Sequence, residues 1–170
     1  MPASTGWRRS RPRKARNDPD SIAYAKVAPG AAQAMYAANS YFDGCSIPQL
    51  LRRLVELRVS QINGCSYCIW LHSRQIKELG ETGERLTAIE HWRAALCLSD
   101  AERAALEWAE FVTRIADGAP PDAAFAALCH HFDDRQVVDL TAIIANMNSL
   151  NRMAISFQLE APPSQVTDKV

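Results

Sequence analysis

Between Leu50 and Ile62 the apolar side chains fall at Leu50, Leu51, Leu54, Val55, Val59 and Ile62, the three- and four-residue spacing of one helical face. Ser46 and Gln49 stand at capping-box spacing ahead of it, and Pro48 suits a first turn, where its missing N–H costs nothing. Asn63-Gly64 predicts the stop. The next helix is expected to begin at or just after Cys65 and to run to Leu79, closed by Gly80. The same punctuation recurs downstream. A short helical piece is predicted over 82–96. Ser99 and Glu102 form a capping box opening a helix closed by Gly118, and Pro120-Pro121 starts a helix through His130. Asp133 and Gln136 head a long, largely apolar helix ended by Pro162-Pro163. Upstream, Pro29-Gly30 separates a short extended or helical piece from a helix ending near Gly44. No alternating Val/Ile/Thr run bounded by turn residues occurs, so the expected fold class is all-α.

A chain of 170 residues suffices for one domain with a real apolar core and is short for two. That domain is expected over 20–160, between tails at 1–19 and 161–170. Lysine plus arginine equals aspartate plus glutamate at 19 each, so no overall field argues for a nucleic-acid or membrane partner. The charges are uneven, however: Trp7 to Arg16 holds six basic residues and no acidic one. A nucleic-acid arm, a sorting signal and a disordered tail are all compatible with that run. A composition unable to bury apolar area favours the tail. Arg8-Arg9 is followed by polar residues rather than an apolar stretch, so no signal peptide is expected, and no window approaches the ~20 apolar residues of a membrane span. A soluble, cytoplasmic protein is the expectation.

The five cysteines, Cys45, Cys65, Cys68, Cys97 and Cys129, then argue against a disulfide framework, and only Cys65 and Cys68 have a spacing with chemical meaning. Cys65-x-x-Cys68 lies at the head of a predicted helix, where free backbone N–H groups and the helix dipole stabilise a thiolate. A three-residue separation lets the sulfurs meet, so an oxidised sulfur has a partner ready to close a disulfide. His72, four residues after Cys68, shares its helix face and is placed to relay a proton. Glu56, on the preceding helix, is a candidate to hold the imidazole or accept its proton, with a solvated ion pair to Arg52, Arg53 or Arg58 as the alternative. Trp70 reads as packing, and Tyr67 as a donor at the site mouth or an ordinary surface aromatic. A structural zinc site would need a fourth ligand from His91, His130 or His131, none at a matching short spacing. Those three read as surface or core histidines, and no metal is expected.

The stretch "LRRLVELRVSQINGCSYCIWLHSRQIKELGETGERL", with "HWRAALCLSDAERAALEWAEFVT" after it, resembles the alkylhydroperoxidase AhpD-like branch of the carboxymuconolactone decarboxylase family. The similarity covers about Ser21 to Leu159; its most specific part is the "INGCxYCxxxH" core, with Trp92-Arg93 and 99–113 fitting as well. The resemblance implies an all-helical domain assembling as a homo-oligomer, commonly a trimer or hexamer. It also implies a peroxidase whose C-x-x-C pair cycles between dithiol and disulfide. By position the peroxidatic cysteine is Cys68, the resolving cysteine Cys65 and the relay histidine His72. The pattern departs from the best-studied members at Tyr67, where they carry a histidine, and at Arg53, where they carry the relay glutamate. Glu56, three residues on and on nearly the same face, is the expected substitute.

The reading is therefore a thiol-dependent peroxidase for hydrogen peroxide or small organic hydroperoxides. Its partner is an external dithiol reductant, thioredoxin-like or lipoyl-type, because the chain has no G-x-G-x-x-G for flavin or nicotinamide and no cofactor is expected. The rivals are a disulfide reductase or electron-transfer adaptor without peroxidase activity, and a structural zinc-binding helical protein.

Overall fold

The computed structural model describes residues 22–162, so the expected tail at 1–19 and nearly all of that at 161–170 lie outside the described residues. Among the described residues there are only helices, joined by short turns, with no strand. They are α1 (Tyr24–Val27), α2 (Pro29–Tyr36), α3 (Ala38–Phe42), α4 (Gln49–Asn63), α5 (Ser66–Glu78), α6 (Gly83–Glu90), α7 (Asp100–Thr113), α8 (Asp122–His131) and α9 (Asp134–Ser156), with a 3-10 turn at Ile115–Asp117. No helix among them is long and apolar enough to cross a membrane.

Helix α4 is the central element, packed by α5, α7, α9 and α6. The apolar face read from the sequence is too narrow a description of it, because Arg52, Glu56, Leu57 and Ser60 are buried as well. A helix enclosed on several sides must carry its polar groups inward, and each then needs an internal partner. On one flank Val55, Val59, Trp108, Leu140 and Ile144 form the larger core; on the other Leu54, Leu57, Ile76, Ile89 and Leu106 form the smaller.

The capping boxes at Ser99/Glu102 and Asp133/Gln136 form as expected, each side chain bonding the other residue's backbone N–H. The box at Ser46/Gln49 does not form: Pro48, extended at ψ 135°, is itself the cap and no side chain bonds there. The long helix α9 also stops before the proline pair. It ends at Ser156, and Gln158 turns with φ 52°.

The turn that matters most joins α4 to α5. Gly64 adopts the left-handed conformation, φ 68° and ψ 31°. Its N–H bonds the Gln61 carbonyl at 3.2 Å, and the Cys65 N–H bonds the Ser60 carbonyl at 3.0 Å. This Schellman closure folds the chain back onto the end of α4 and pins Cys65 over it.

Candidate active site

Cys65 is the N-cap of α5 rather than a residue of its first turn, and its sulfur accepts the Cys68 N–H at 3.4 Å. Cys68 stands at the third helical position, so the pair straddles the helix start and the sulfurs approach each other. Both thiols are free and buried, 2% exposed for Cys65 and 4% for Cys68. They differ in what they face. Both pack in the larger core, but Cys68 lines a cavity of about 230 Å³ together with His72 and Glu56, whereas Cys65 does not reach it.

Of the two thiols the lowered one is Cys65. Its pKa is drawn down to about 7 by the hydrogen bond from the Cys68 thiol, opposed by burial and helped by the Cys68 N–H. Cys68 is pushed up, first because it donates that bond, then by burial and by the neighbouring negative charge. The bond between the thiols sets most of this asymmetry, and the cap position adds to it, since the backbone N–H at the helix start reaches Cys65.

His72 lies one turn along α5 from Cys68 and is 5% exposed. Its Nδ1 is 3.0 Å from Gln75 Oε1 and 3.3 Å from Glu56 Oε2. Both neighbours accept hydrogen bonds, so Nδ1 carries the ring proton and Nε2 is the basic nitrogen. Burial lowers the His72 pKa; the Glu56 charge opposes this and Arg53 and Arg52 add to it, so the ring is neutral at neutral pH.

Glu56 is not a solvated ion pair. It is 4% exposed, with Oε1 taking the Arg52 Nε–H at 2.9 Å and Oε2 taking Arg53 Nη1–H at 2.6 Å. Arg52, itself 2% exposed, also donates to Asp43 at 2.6 Å and Asn39 at 3.0 Å. One carboxylate thus joins two guanidinium groups to the imidazole. Arg53 now has a physical place: its charge meets the carboxylate supplied one turn later.

Around the cavity, Tyr36 and Tyr24 are linked hydroxyl to hydroxyl at 2.9 Å. Burial and the Tyr24 contact push the Tyr36 phenol up to about 12, so it faces Cys68 as a neutral group. Tyr67 also lines the cavity and packs on Trp70 with ring centroids 5.7 Å apart. Leu71, Met147, Leu150, Ala154 and Leu159 supply the apolar part of the wall, and Asn39, Asp43, Arg52, Arg53 and Gln75 the rest of its polar part. His91, His130 and His131 are exposed and none lines the cavity. Among the described residues no group of three or more metal-ligating side chains is assembled to hold a metal ion.

Sequence reasoning thus located the cysteine pair, His72 and Glu56, and the fold brings all four together. It did not find Gln75, Tyr24, Tyr36 or the α9 wall. Gln75, three residues after His72 on one helix, carried a usable signal; the others are supplied by elements distant in the chain.

Comparison with known proteins bears on the family and the fold. The family described as carboxymuconolactone decarboxylase matches residues 29–111. The uncharacterized protein YdfG of Bacillus subtilis is 36% identical over 135 residues, covering 79% of this chain and 92% of that protein. A crystal structure of an Agrobacterium tumefaciens protein of unknown function, assigned provisionally as an antioxidant defence protein AhpD, superposes with a TM-score of 0.81 at 34% identity. It covers 84% of this chain and 97% of that one. The debrominase Bmp8 shares the fold at 21% identity and a TM-score of 0.73, covering 82% of this chain and 75% of its own.

Proposed function

We propose that this chain, which belongs to the AhpD-like branch of the carboxymuconolactone decarboxylase family, is a thiol-dependent peroxidase that reduces hydrogen peroxide or small organic hydroperoxides. The observation that carries the reading is the division of labour between the sulfurs: Cys68 lines the cavity beside His72 and Glu56, and Cys65 does not reach it. A peroxide entering the cavity meets Cys68 first.

The chemistry follows from that order. The Cys68 thiol gives its proton to His72 Nε2 or to the Cys65 sulfur it already bonds. The resulting thiolate attacks the distal peroxide oxygen, the O–O bond breaks, and the departing alkoxide takes the proton back to leave as alcohol. Cys68 is now a sulfenic acid. Cys65 attacks the Cys68 sulfur as a thiolate; the S–S bond forms and hydroxide leaves, protonated, as water. The sum is ROOH plus two thiols giving ROH, water and a disulfide. An external dithiol, thioredoxin-like or lipoyl-type, returns two electrons and two protons by exchange through a mixed disulfide. Glu56 keeps the Nδ1 proton in place and stabilises the imidazolium while His72 holds the second proton. Assembly as a homo-oligomer belongs to the same reading.

Rapid mixing of reduced protein with an organic hydroperoxide tests this, following tryptophan fluorescence with Cys65→Ser and Cys68→Ser in parallel. Fast oxidation of the wild type, a silent Cys68 variant and a Cys65 variant stalled at sulfenic acid are expected. Equally slow responses from all three, with fast exchange against a protein disulfide, would replace the peroxidase with a disulfide reductase.

A further inference from the structure

Two arginines stand side by side on α4, and they are not used alike. Arg52 has a partner on each guanidinium nitrogen: Glu56 on Nε at 2.9 Å, Asp43 on Nη1 at 2.6 Å and Asn39 on Nη2 at 3.0 Å. Arg53 donates from Nη1 to Glu56 Oε2 at 2.6 Å, and among the described residues its Nε and Nη2 meet no acceptor. Its side chain is only 13% exposed and borders the cavity that Cys68 and His72 line. Neither open nitrogen is sealed from solvent. A mostly buried arginine with accessible N–H groups at a cavity wall offers a fork to an acceptor brought in from outside.

The charges around the cavity say what kind of acceptor suits it. Glu56 is shared by both guanidinium groups, while Asp43, the other carboxylate on Arg52, is 65% exposed and lies largely in water. His72 is held neutral by its burial. The buried part of the site thus sets two permanent cations against one carboxylate. A second carboxylate, brought by a ligand, balances them and fits the planar fork of Arg53, whereas an uncharged hydroperoxide supplies no such charge.

The size of the space agrees. A cavity of roughly 150 Å³ holds a benzene ring, so the 230 Å³ found here leaves room for a ring with short substituents. Leu71, Met147, Leu150 and Leu159 offer such a body an apolar wall. Hydrogen peroxide alone would leave most of that space unfilled.

We propose that the cavity takes an organic hydroperoxide bearing a carboxylate, and that Arg53 is the residue that binds the carboxylate. Arg53 on α4 and Cys68 on α5 border the same space, so a ring-sized molecule that fills it borders both. The contact is with a part of the substrate that does not react, so Arg53 decides which peroxides are chosen rather than how the O–O bond breaks. The peroxide end of the proposal rests on the peroxidase reading; the anion site does not.

The test is calorimetric titration of the reduced full chain with para-isopropylbenzoate and with its uncharged amide, neither of which is a peroxide. The acid is expected to bind about tenfold more tightly than the amide. In Arg53→Gln that ratio is expected to fall to about one, and in Arg53→Lys, which keeps the charge without the fork, to an intermediate value. The ratio cancels any effect of the substitution that both probes feel. Equal binding of the two probes, binding of neither, or a preference that survives Arg53→Gln overturns the proposal. If Arg53→Gln does not fold, Arg53→Lys decides, and an undiminished preference there overturns it. Para-carboxylated cumene hydroperoxide is then expected to show a lower KM than cumene hydroperoxide. An Arg53-dependent preference for the acid without turnover of either peroxide would count against the peroxidase reading and leave the anion site standing.

Discussion

Replacing Glu56 by alanine removes the carboxylate that joins Arg52, Arg53 and His72, and the structure says how much that should cost. Arg52 is 2% exposed and would keep Asp43 and Asn39 while its Nε–H lost its acceptor. Breaking a buried ion pair by removing one partner costs about 3–5 kcal/mol, because the remaining charge is stranded. The surviving Asp43 contact places the expected value at the lower end, about 3 kcal/mol, a large share of the roughly 5–15 kcal/mol that holds a domain together. Removing both partners, as Arg52→Met with Glu56→Leu, removes the more deeply buried charge as well: Asp43, 65% exposed, returns to water, and only Arg53, 13% exposed, is left without its carboxylate. The double variant is therefore expected to recover most of the loss. Urea unfolding of Glu56→Ala gives the cost, and Glu56→Leu, Arg52→Met and the double variant, at unchanged slope, give the cycle. A Glu56→Ala cost below about 1 kcal/mol, or a double variant no more stable than the single, would refute the assignment of Glu56 as the buried counter-charge of this site.

Two further outcomes rest on other parts of the fold. Glu110 is pushed up by burial, yet hydrogen bonds from Arg93, Trp92 and Arg58 hold its pKa down to about 2. Its folded value lies below the ordinary one, so its contribution to stability is present above pH 4.5 and is lost as pH falls through about 2. The stability gap between the wild type and Glu110→Gln, read from urea midpoints, should close steadily across that window; a gap independent of pH would contradict it. At the turn before Cys65, Gly64 stands at φ 68° with open space where a Cβ would lie. Gly64→Ala is expected to cost about 1 kcal/mol through backbone conformation alone, and an unfolding midpoint equal to the wild type would show that the left-handed turn is not needed.

The helical class, two of three proposed capping boxes and the Asn63-Gly64 stop were legible because each is a local matter, set by periodicity and by turn chemistry within a few residues. The cysteine pair and His72 were legible for the same reason, since a short spacing on one helix fixes their juxtaposition whatever surrounds it. The sequence by itself also named Glu56 as a candidate, but left it balanced against a surface ion pair. Only tertiary structure decided that question: α4 is enclosed by its neighbours, so its carboxylate and Arg52 are inside and must satisfy each other. The resemblance and the His72 spacing pointed to Cys68 as the attacking sulfur, but the cavity it faces was out of reach, because the wall opposite α4 and α5 comes from α1, α2, α3 and α9. The burial of Asn151 on α9 carried no signal at all, since its hydrogen bond to Ser60 spans 91 residues. Local spacing determines which groups a helix presents together; what lies opposite them, and therefore their charge and their access to substrate, is set by packing between segments far apart in the chain.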